Sequence, residues 1–128
     1  MRKTIIVLLI SLLFVLSGCK KEKEYEYDDF SDHYLDSYQS VYEIKGTYVL
    51  YYFFEYCQDC NSIKQTILPF LDTYEELPFY LLSSTLATDE NVYSDFFVTP
   101  TVYIFEDGVI IEKYFGTPGV KEFIELNS

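Results

Sequence analysis

One stretch of the sequence limits the possible folds more than any other. It is a continuous apolar and aromatic run from Tyr48 to Phe54, followed directly by a helical pattern. An uninterrupted run of this kind is typical of a β-strand buried on both faces. The next apolar residues recur at helical spacing and predict one helix from about Gln58 to Glu76 that continues across Pro69 with a kink there. These residues are Ile63, Ile67, Phe70, Leu71 and Tyr74. A buried strand leading into an amphipathic helix indicates an α/β chain.

Three further strands follow from the sequence. Phe79 to Leu82 is a short apolar run entered through Pro78. Thr101 to Phe105 and Val109 to Phe115 are two more, and Glu106-Asp107-Gly108 between them suits a hairpin turn. A strand–helix–strand unit needs a parallel pair and a hairpin an antiparallel one, so the pattern predicts a mixed central sheet flanked by helices.

Three more helical segments are expected. Apolar residues from Tyr34 to Tyr42 fall at helical spacing and predict a helix from Ser31 to about Ile44, capped by Ser31 or Asp32. Residues 92–97 suit a short helix or turn. The last helix begins near Thr117, where Pro118 is typical of a first turn.

The N-terminus has the pattern of a secretory signal peptide. Met1 to Lys3 is basic, and Ile5 to Leu16 is apolar apart from Ser11. Such a run covers roughly 18 Å as a helix, against about 30 Å for the hydrocarbon core of a bilayer. It is therefore short for a membrane-spanning helix.

The segment Leu16-Ser17-Gly18-Cys19 resembles the lipobox of bacterial lipoproteins. The resemblance implies a signal peptide over residues 1–18, cleavage before Cys19 and lipidation of its thiol. The mature chain would then be lipid-anchored on the extracytoplasmic face of a bacterial cell membrane. The alternative is an uncleaved signal anchor with an incidental cysteine.

Charge and composition describe the rest of the chain. Residues 19–29 are charged and predict an extended tether, which leaves residues 30–128 as one domain. Aromatic residues make up 20% of the chain, enough surface for a packed core. The net charge of -12 argues against nucleic acid as a partner. Three cysteines are too few for a disulfide scaffold or a four-cysteine zinc site.

The motif Cys57-Gln58-Asp59-Cys60 joins the buried strand to its helix. At this spacing on a first helical turn, the two sulfurs are close enough to bond. The positive end of the helix dipole favours a thiolate at Cys57. Because the thiolate is the nucleophile in disulfide exchange, Cys57 is the candidate attacking group and Cys60 the candidate resolving thiol.

Other interpretations of the cysteine pair remain open. Half of a zinc site would need two more ligands, but His33 is the only histidine and Cys19 is assigned to lipid. An inert structural disulfide is compatible with an oxidising compartment. A chance pair of buried thiols is a third possibility.

From Tyr48 onward the sequence resembles the thioredoxin superfamily, and more narrowly the thioredoxin-like lipoproteins of low-GC Gram-positive bacteria. One matching stretch is Tyr52 to Cys60, in which Tyr56 is the aromatic residue before the first cysteine. Another is Val98 to Gly108, which contains the counterpart of the family's cis-proline loop, and Gly116 matches as well.

The resemblance implies a thioredoxin-like fold and a redox-active Cys57–Cys60 pair. It also implies a cis peptide between Thr99 and Pro100, which would leave the Thr99 backbone free to pair with an extended substrate segment. Tyr56, Thr99 and Pro100 are therefore candidate substrate-binding residues. An ordinary trans loop before a strand is the alternative for Thr99-Pro100.

The sequence departs from thioredoxin in two places. Gln58-Asp59 replaces the Gly-Pro dipeptide, and Tyr51 stands where a buried acid is usual. Glu55 and Asp59 are candidates for proton transfer, although an exposed, solvated carboxylate is the favoured interpretation of Glu55. No His or Lys inside the dipeptide lowers the pKa of Cys57, which favours a reductant over a strong oxidant.

The sequence thus predicts a monomeric thiol-disulfide oxidoreductase with no metal or organic cofactor. Its expected partners are cysteine-containing protein substrates, the membrane through Cys19, and a membrane or extracytoplasmic redox partner. The competing hypothesis is a non-catalytic binding or accessory module with a structural disulfide. A thiol peroxidase is disfavoured because Arg2, in the signal peptide, is the only arginine.

Overall fold

The structure is a computed structural model that describes residues 18–86 and 95–128. The signal-peptide prediction falls almost wholly outside these residues, as do residues 92–94 of the short helix expected at 92–97. The helices are α1 (Tyr38–Glu43), α2 (Gln58–Thr73) and α3 (Gly116–Leu126), with 3-10 helices at Tyr27–His33 and Ser84–Leu86. The strands are β1 (Thr47–Phe53), β2 (Phe79–Ser83), β3 (Thr101–Glu106) and β4 (Val109–Phe115).

The four strands form one mixed sheet in the order β2-β1-β3-β4. β1 runs parallel to β2 and antiparallel to β3, and β3 runs antiparallel to β4. The predicted α/β fold with a mixed central sheet is therefore confirmed. Because α2 connects the parallel neighbours β1 and β2, its first residues lie at the carboxyl end of β1.

β1 is buried on both faces, as its uninterrupted apolar run predicted. Val49, Tyr51 and Phe53 belong to the core that packs against α2 and α3. Their neighbours Leu50 and Tyr52 belong to a second core on the opposite face. The strand therefore holds two hydrophobic cores together and fixes the position of the turn that follows it.

The predicted helix from Ser31 to Ile44 is wrong in its first half. Phe30 packs in the first core, whereas Tyr38 and Val41 pack in the second, on the other face of the sheet. The chain must therefore pass around the edge of the sheet, and Tyr34 forms a parallel bridge to Leu81 as it does so. A continuous helix cannot make this crossing. The helix that does form has Ser37 as its N-cap, not Ser31 or Asp32.

The predicted tether over residues 19–29 also ends earlier than expected. Tyr25 exchanges two hydrogen bonds with the Gln65 side chain of α2, at 2.9 and 2.7 Å. Lys64 forms a 2.7 Å ion pair with Glu26. Tyr27 is only 6% exposed and stacks on Phe53. Residues from Tyr25 onward are therefore part of the domain, because Tyr25 and Tyr27 of this charged stretch both hydrogen-bond to α2.

Candidate active site

Cys57 is the N-cap residue of α2. Its backbone N–H donates to the carbonyl of Phe54 at 3.1 Å, which closes a tight turn between β1 and the helix. Its Sγ accepts the backbone N–H of Cys60 at 3.1 Å. Cys57 is partly exposed, whereas Cys60 is fully buried, and both are free thiols. The Cys57 sulfur is thus accessible to solvent, whereas the neighbouring Cys60 sulfur is not.

The two thiols differ in acidity. Burial opposes ionisation of Cys57, but hydrogen bonds from the thiol and the backbone N–H of Cys60 outweigh it, and the pKa of Cys57 falls below its usual 9.0. Burial, followed by the hydrogen bond to Cys57, raises the pKa of Cys60 to about 12. At neutral pH the first thiol is therefore the better nucleophile and the second stays protonated.

A second segment reaches the cysteine pair from the other side. The peptide bond between Thr99 and Pro100 is cis, as the resemblance implied. The carbonyl oxygen of Thr99 lies 3.7 Å from Cys57 Sγ and accepts its S–H. The backbone N–H of Gly116 donates to the Pro100 carbonyl at 2.8 Å, which ties this loop to the start of α3. Three of the predicted site residues, Cys57, Thr99 and Pro100, are therefore brought together.

Exposed aromatic side chains lie close in sequence to the segments that form this site. Tyr56 is 83% exposed and makes an edge contact with the ring of Phe54. Phe97 is 68% exposed, precedes the cis-proline loop and lies 5.8 Å from the ring of Phe115. Tyr56 was predicted from the sequence, whereas Phe97 and Phe115 were missed. Their apolar character gave no signal, because the same residue types fill both cores.

The favoured interpretation of Glu55 as an exposed, solvated carboxylate is wrong. Its Oε1 accepts a 2.7 Å hydrogen bond from Ser83 at the end of β2. Its Oε2 is buried and has no hydrogen-bond partner within the described residues. Asp59 is exposed in the first turn of α2, and its backbone N–H contributes to lowering the pKa of Cys57. In the described part of the chain, neither carboxylate is hydrogen-bonded to a sulfur.

A pair of tyrosine hydroxyls lies behind Cys60. The hydroxyl of Tyr27 donates to the Cys60 carbonyl at 3.0 Å, and the hydroxyl of Tyr51 lies 3.4 Å from that of Tyr27. Tyr51 was recognised from the sequence in the place of an acid, whereas Tyr27 was assigned to the tether. No local pattern distinguishes an aromatic residue that docks from one that does not.

Cys19 is exposed near the start of the described chain. Across residues 18–86 and 95–128, no helix is both long and apolar enough to cross a membrane. Within the same ranges, no group of three or more His, Cys, Asp or Glu side chains is placed to hold a metal ion.

Comparison with solved structures identifies the fold. Thioredoxin f2 of Chlamydomonas reinhardtii superposes with a TM-score of 0.58 at 14% identity over 73% of this chain and 90% of its own. Mitochondrial thioredoxin 3 of Saccharomyces cerevisiae, in its oxidised form, superposes with a TM-score of 0.56 at 15% identity. The match covers 74% of this chain and 89% of the yeast chain. Fasciola hepatica thioredoxin superposes with a TM-score of 0.54 at 19% identity, and the match covers 70% of this chain and 89% of the Fasciola chain. No protein-family model and no curated protein sequence matches the chain.

These likenesses, together with the mixed sheet and the cis-proline loop beside a cysteine pair, define the architecture. The chain has a thioredoxin-like fold, as the sequence resemblance predicted. At such low identity the solved structures establish the fold alone.

Proposed function

We propose that this chain is a thiol-disulfide oxidoreductase that acts on protein disulfides and dithiols through Cys57 and Cys60. One observation carries the proposal: an accessible thiol of lowered pKa is hydrogen-bonded to a buried thiol of raised pKa at a helix N-terminus. That asymmetry supplies a ready nucleophile and a resolving thiol that does not compete with it.

The reaction in the reducing direction has two steps. The Cys57 thiolate attacks a substrate disulfide, one substrate sulfur leaves as a thiolate, and Cys57 is left in a mixed disulfide. Cys60 then loses its proton and attacks the Cys57 sulfur, which releases the second substrate thiolate and forms the Cys57–Cys60 disulfide. Two electrons pass from the protein dithiol to the substrate. The oxidising direction is the reverse.

The reducing direction is the favoured one. A strong oxidant requires a very stable reduced form. The hydrogen bonds that lower the pKa of Cys57 come from Cys60, the side chain of Thr99 and the backbone of Asp59, and no cationic side chain is among the causes. Such a reductant needs an electron donor, and we assign that role to a membrane or extracytoplasmic redox partner.

Substrate docks beside the cis-proline loop. The Thr99 backbone faces Cys57, so an extended substrate segment that pairs there places its sulfur next to the nucleophile. Tyr56 presents an aromatic ring to the same approach. Main-chain pairing accepts many sequences, which suits an enzyme with several cysteine-containing substrates.

The domain is held close to a membrane surface through lipid on Cys19. Because Tyr25 is docked on α2, residues 20–24 form the free link between the lipidated cysteine and the domain. A link of this length reaches at most about 20 Å when fully extended. Substrates of the anchored protein therefore have to come near the extracytoplasmic face of the bacterial cell membrane.

The redox part of the proposal is tested with single-cysteine variants. In Cys57→Ser, turnover of a disulfide-bonded protein substrate should fall to background. In Cys60→Ser, the first step remains and the resolving step is lost, so a mixed disulfide with Cys57 should accumulate and be visible on a non-reducing gel. If neither variant differs from the unchanged chain, the structural-disulfide hypothesis replaces this one.

The anchor is tested separately. Expressed in a Gram-positive host with its own N-terminus, the chain should partition with membranes and incorporate labelled fatty acid, and Cys19→Ala should do neither. Labelling that persists in Cys19→Ala would contradict the proposed anchor and leave the redox chemistry untouched.

A further inference from the structure

Two tyrosine side chains from different parts of the chain lie on the buried side of Cys60. Tyr51 is a fully buried residue of β1, and Tyr27 belongs to the N-terminal 3-10 helix that packs on α2. Their hydroxyls are 3.4 Å apart, and the hydroxyl of Tyr27 is 3.0 Å from the Cys60 carbonyl oxygen. The N-terminal segment therefore reaches the backbone of the resolving cysteine.

The direction of these hydrogen bonds follows from proton counting. A carbonyl oxygen can only accept, so Tyr27 must donate its hydroxyl proton to Cys60. Because a hydroxyl carries one proton, the contact between the two phenols has Tyr51 as donor and Tyr27 as acceptor. The result is a directed chain from Tyr51 through Tyr27 to the Cys60 carbonyl.

We propose that Tyr27 and Tyr51 are positioning residues for the resolving step: they hold Cys60 in place while supplying no proton acceptor to it. The inference rests on the proposed function, because resolution exists only if Cys57 and Cys60 exchange disulfides. Cys60 must therefore release its proton to solvent or to the departing substrate thiolate, and not to a protein base behind it.

The surroundings of Cys60 support this division of roles. The titratable groups that interact with it are Cys57 on its own helix turn, Tyr27 on the N-terminal helix, and Tyr51 and Tyr52 on β1. Burial raises the pKa of Tyr27 and of Tyr51 far above neutral, so both stay uncharged donors. Ile63 and Phe53, which share this core with Cys60, are apolar. Tyr34 also packs against it, and burial raises the pKa of Tyr34 as well. The Glu55 carboxylate lines a cavity together with Tyr27, but its hydrogen bond comes from Ser83 and not from Cys60.

The consequence is a distinctive pH dependence of resolution. Without a nearby base, the reactive fraction of Cys60 is its thiolate fraction, which rises about tenfold per pH unit below the pKa of the thiol. A base beside the thiol would instead make the rate level off once that base is ionised. The rate of the first step, in which Cys57 attacks, levels off near the pKa of Cys57, which is the lower of the two.

Stopped-flow reaction with dithionitrobenzoate, an aryl disulfide with a coloured leaving thiolate, separates the two steps. The full chain carrying Cys19→Ala is used in detergent, so that Cys57 and Cys60 are its remaining thiols. The first coloured thiolate reports attack by Cys57, and the second reports resolution by Cys60. In the otherwise unchanged chain the rate of the second phase should rise about tenfold per pH unit from pH 6 to 9.

Substitutions then isolate the two hydroxyls. Tyr27→Phe removes the donor to Cys60 and should slow the second phase by about threefold to tenfold, with the first phase unchanged. Tyr51→Asp places a carboxylate behind Cys60 and should make the second phase level off near neutral pH, whereas Tyr51→Asn should not. Tyr48→Phe is the matched control, because the buried hydroxyl of Tyr48 likewise donates to a backbone carbonyl, that of Val41, in the core on the other face of the sheet.

The outcomes separate the inference from the proposed function. A second phase whose rate levels off below pH 9 in the unchanged chain overturns the inference, as does a Tyr27→Phe chain whose two rates match those of Tyr48→Phe. If Tyr51→Asp fails to fold, the pH dependence of the unchanged chain and the rates of Tyr27→Phe still decide whether the inference holds. Release of a single coloured thiolate by the unchanged chain would contradict the proposed function itself, and the inference with it.

Discussion

The backbone N–H of Cys60 donates a 3.1 Å hydrogen bond to the Sγ of Cys57. Cys60 therefore stabilises the thiolate of Cys57 through its backbone N–H, independently of its own side chain. The contact exists because Cys57 is the N-cap of α2, where a helix leaves N–H groups unpaired. A sulfur takes the place that an oxygen usually fills at a helix start.

This contact predicts the pH dependence of alkylation. The rate of Cys57 labelling by iodoacetamide should rise through a midpoint below 9.0, because hydrogen bonding favours the thiolate. Cys60 should stay unlabelled in the same range, since burial raises its pKa to about 12. Cys60→Ala keeps the backbone N–H that donates to Cys57 and loses the thiol that also donates. The pH midpoint of Cys57 labelling should therefore rise in this variant but stay below 9.0. A midpoint at or above 9.0 in the unchanged chain would contradict this account.

Glu55 provides a test of the proton-transfer hypothesis. Its carboxylate is bound to Ser83 and is not hydrogen-bonded to a sulfur, so we expect it to fix the turn before Cys57. In Glu55→Gln the amide oxygen can still accept from Ser83, and exchange rates should stay within about twofold, whereas loss of a proton-transfer group costs about a hundredfold or more. The measurement is the turnover of a disulfide substrate at pH 6 and 8. A hundredfold loss would identify Glu55 as the proton-transfer residue.

Two glycines with positive φ give a matched test of the packing. Gly46 has φ +83° and open space where a side chain would start, whereas a Cβ on Gly108, at φ +78°, would overlap the carbonyl of Tyr42. Gly46→Ala should cost about 1–2 kcal/mol of unfolding free energy from backbone strain alone. Gly108→Ala should cost more, because the hairpin has to move away from Tyr42. Equal losses in urea denaturation would show that the hairpin does not pack there.

The N-terminal 3-10 helix should behave as part of the domain. Phe30 is only 5% exposed and contacts the ring of Phe79, so Phe30→Ala should cost about 3–5 kcal/mol of unfolding free energy. Glu26→Ala removes a surface ion pair to Lys64 and should cost less than about 1 kcal/mol. Urea denaturation of both variants gives the comparison. A neutral Phe30→Ala would mean that the 3-10 helix does not pack in the core.

The sequence predicts the parts of this protein that local patterns determine. The apolar run of β1, the hairpin at Asp107-Gly108 and the helix after Cys57 each carry their own signal, and each is confirmed. The first helix was wrong because spacing does not tell which sheet face a residue reaches, and Phe30 and Tyr38 reach opposite ones.

The contacts missed within the site are long-range. Tyr27 meets Tyr51 and Cys60 across 24 and 33 residues, and Glu55 meets Ser83 across 28. Nothing in the sequence around Tyr27 distinguishes it from its exposed neighbours. Such pairs are fixed only when α2 and β2 have packed, so a pattern in the sequence does not report them.

The most direct test of the central claim is the reduction potential of the Cys57–Cys60 pair. The full chain carrying Cys19→Ala is equilibrated in dithiothreitol or glutathione buffers, and the fraction of free thiol is measured. We expect a reversible two-electron transition near or below about -250 mV, the range of thioredoxin-like reductants. A transition between roughly -120 and -180 mV would contradict the reducing direction. A pair with no reversible equilibrium would contradict the oxidoreductase itself.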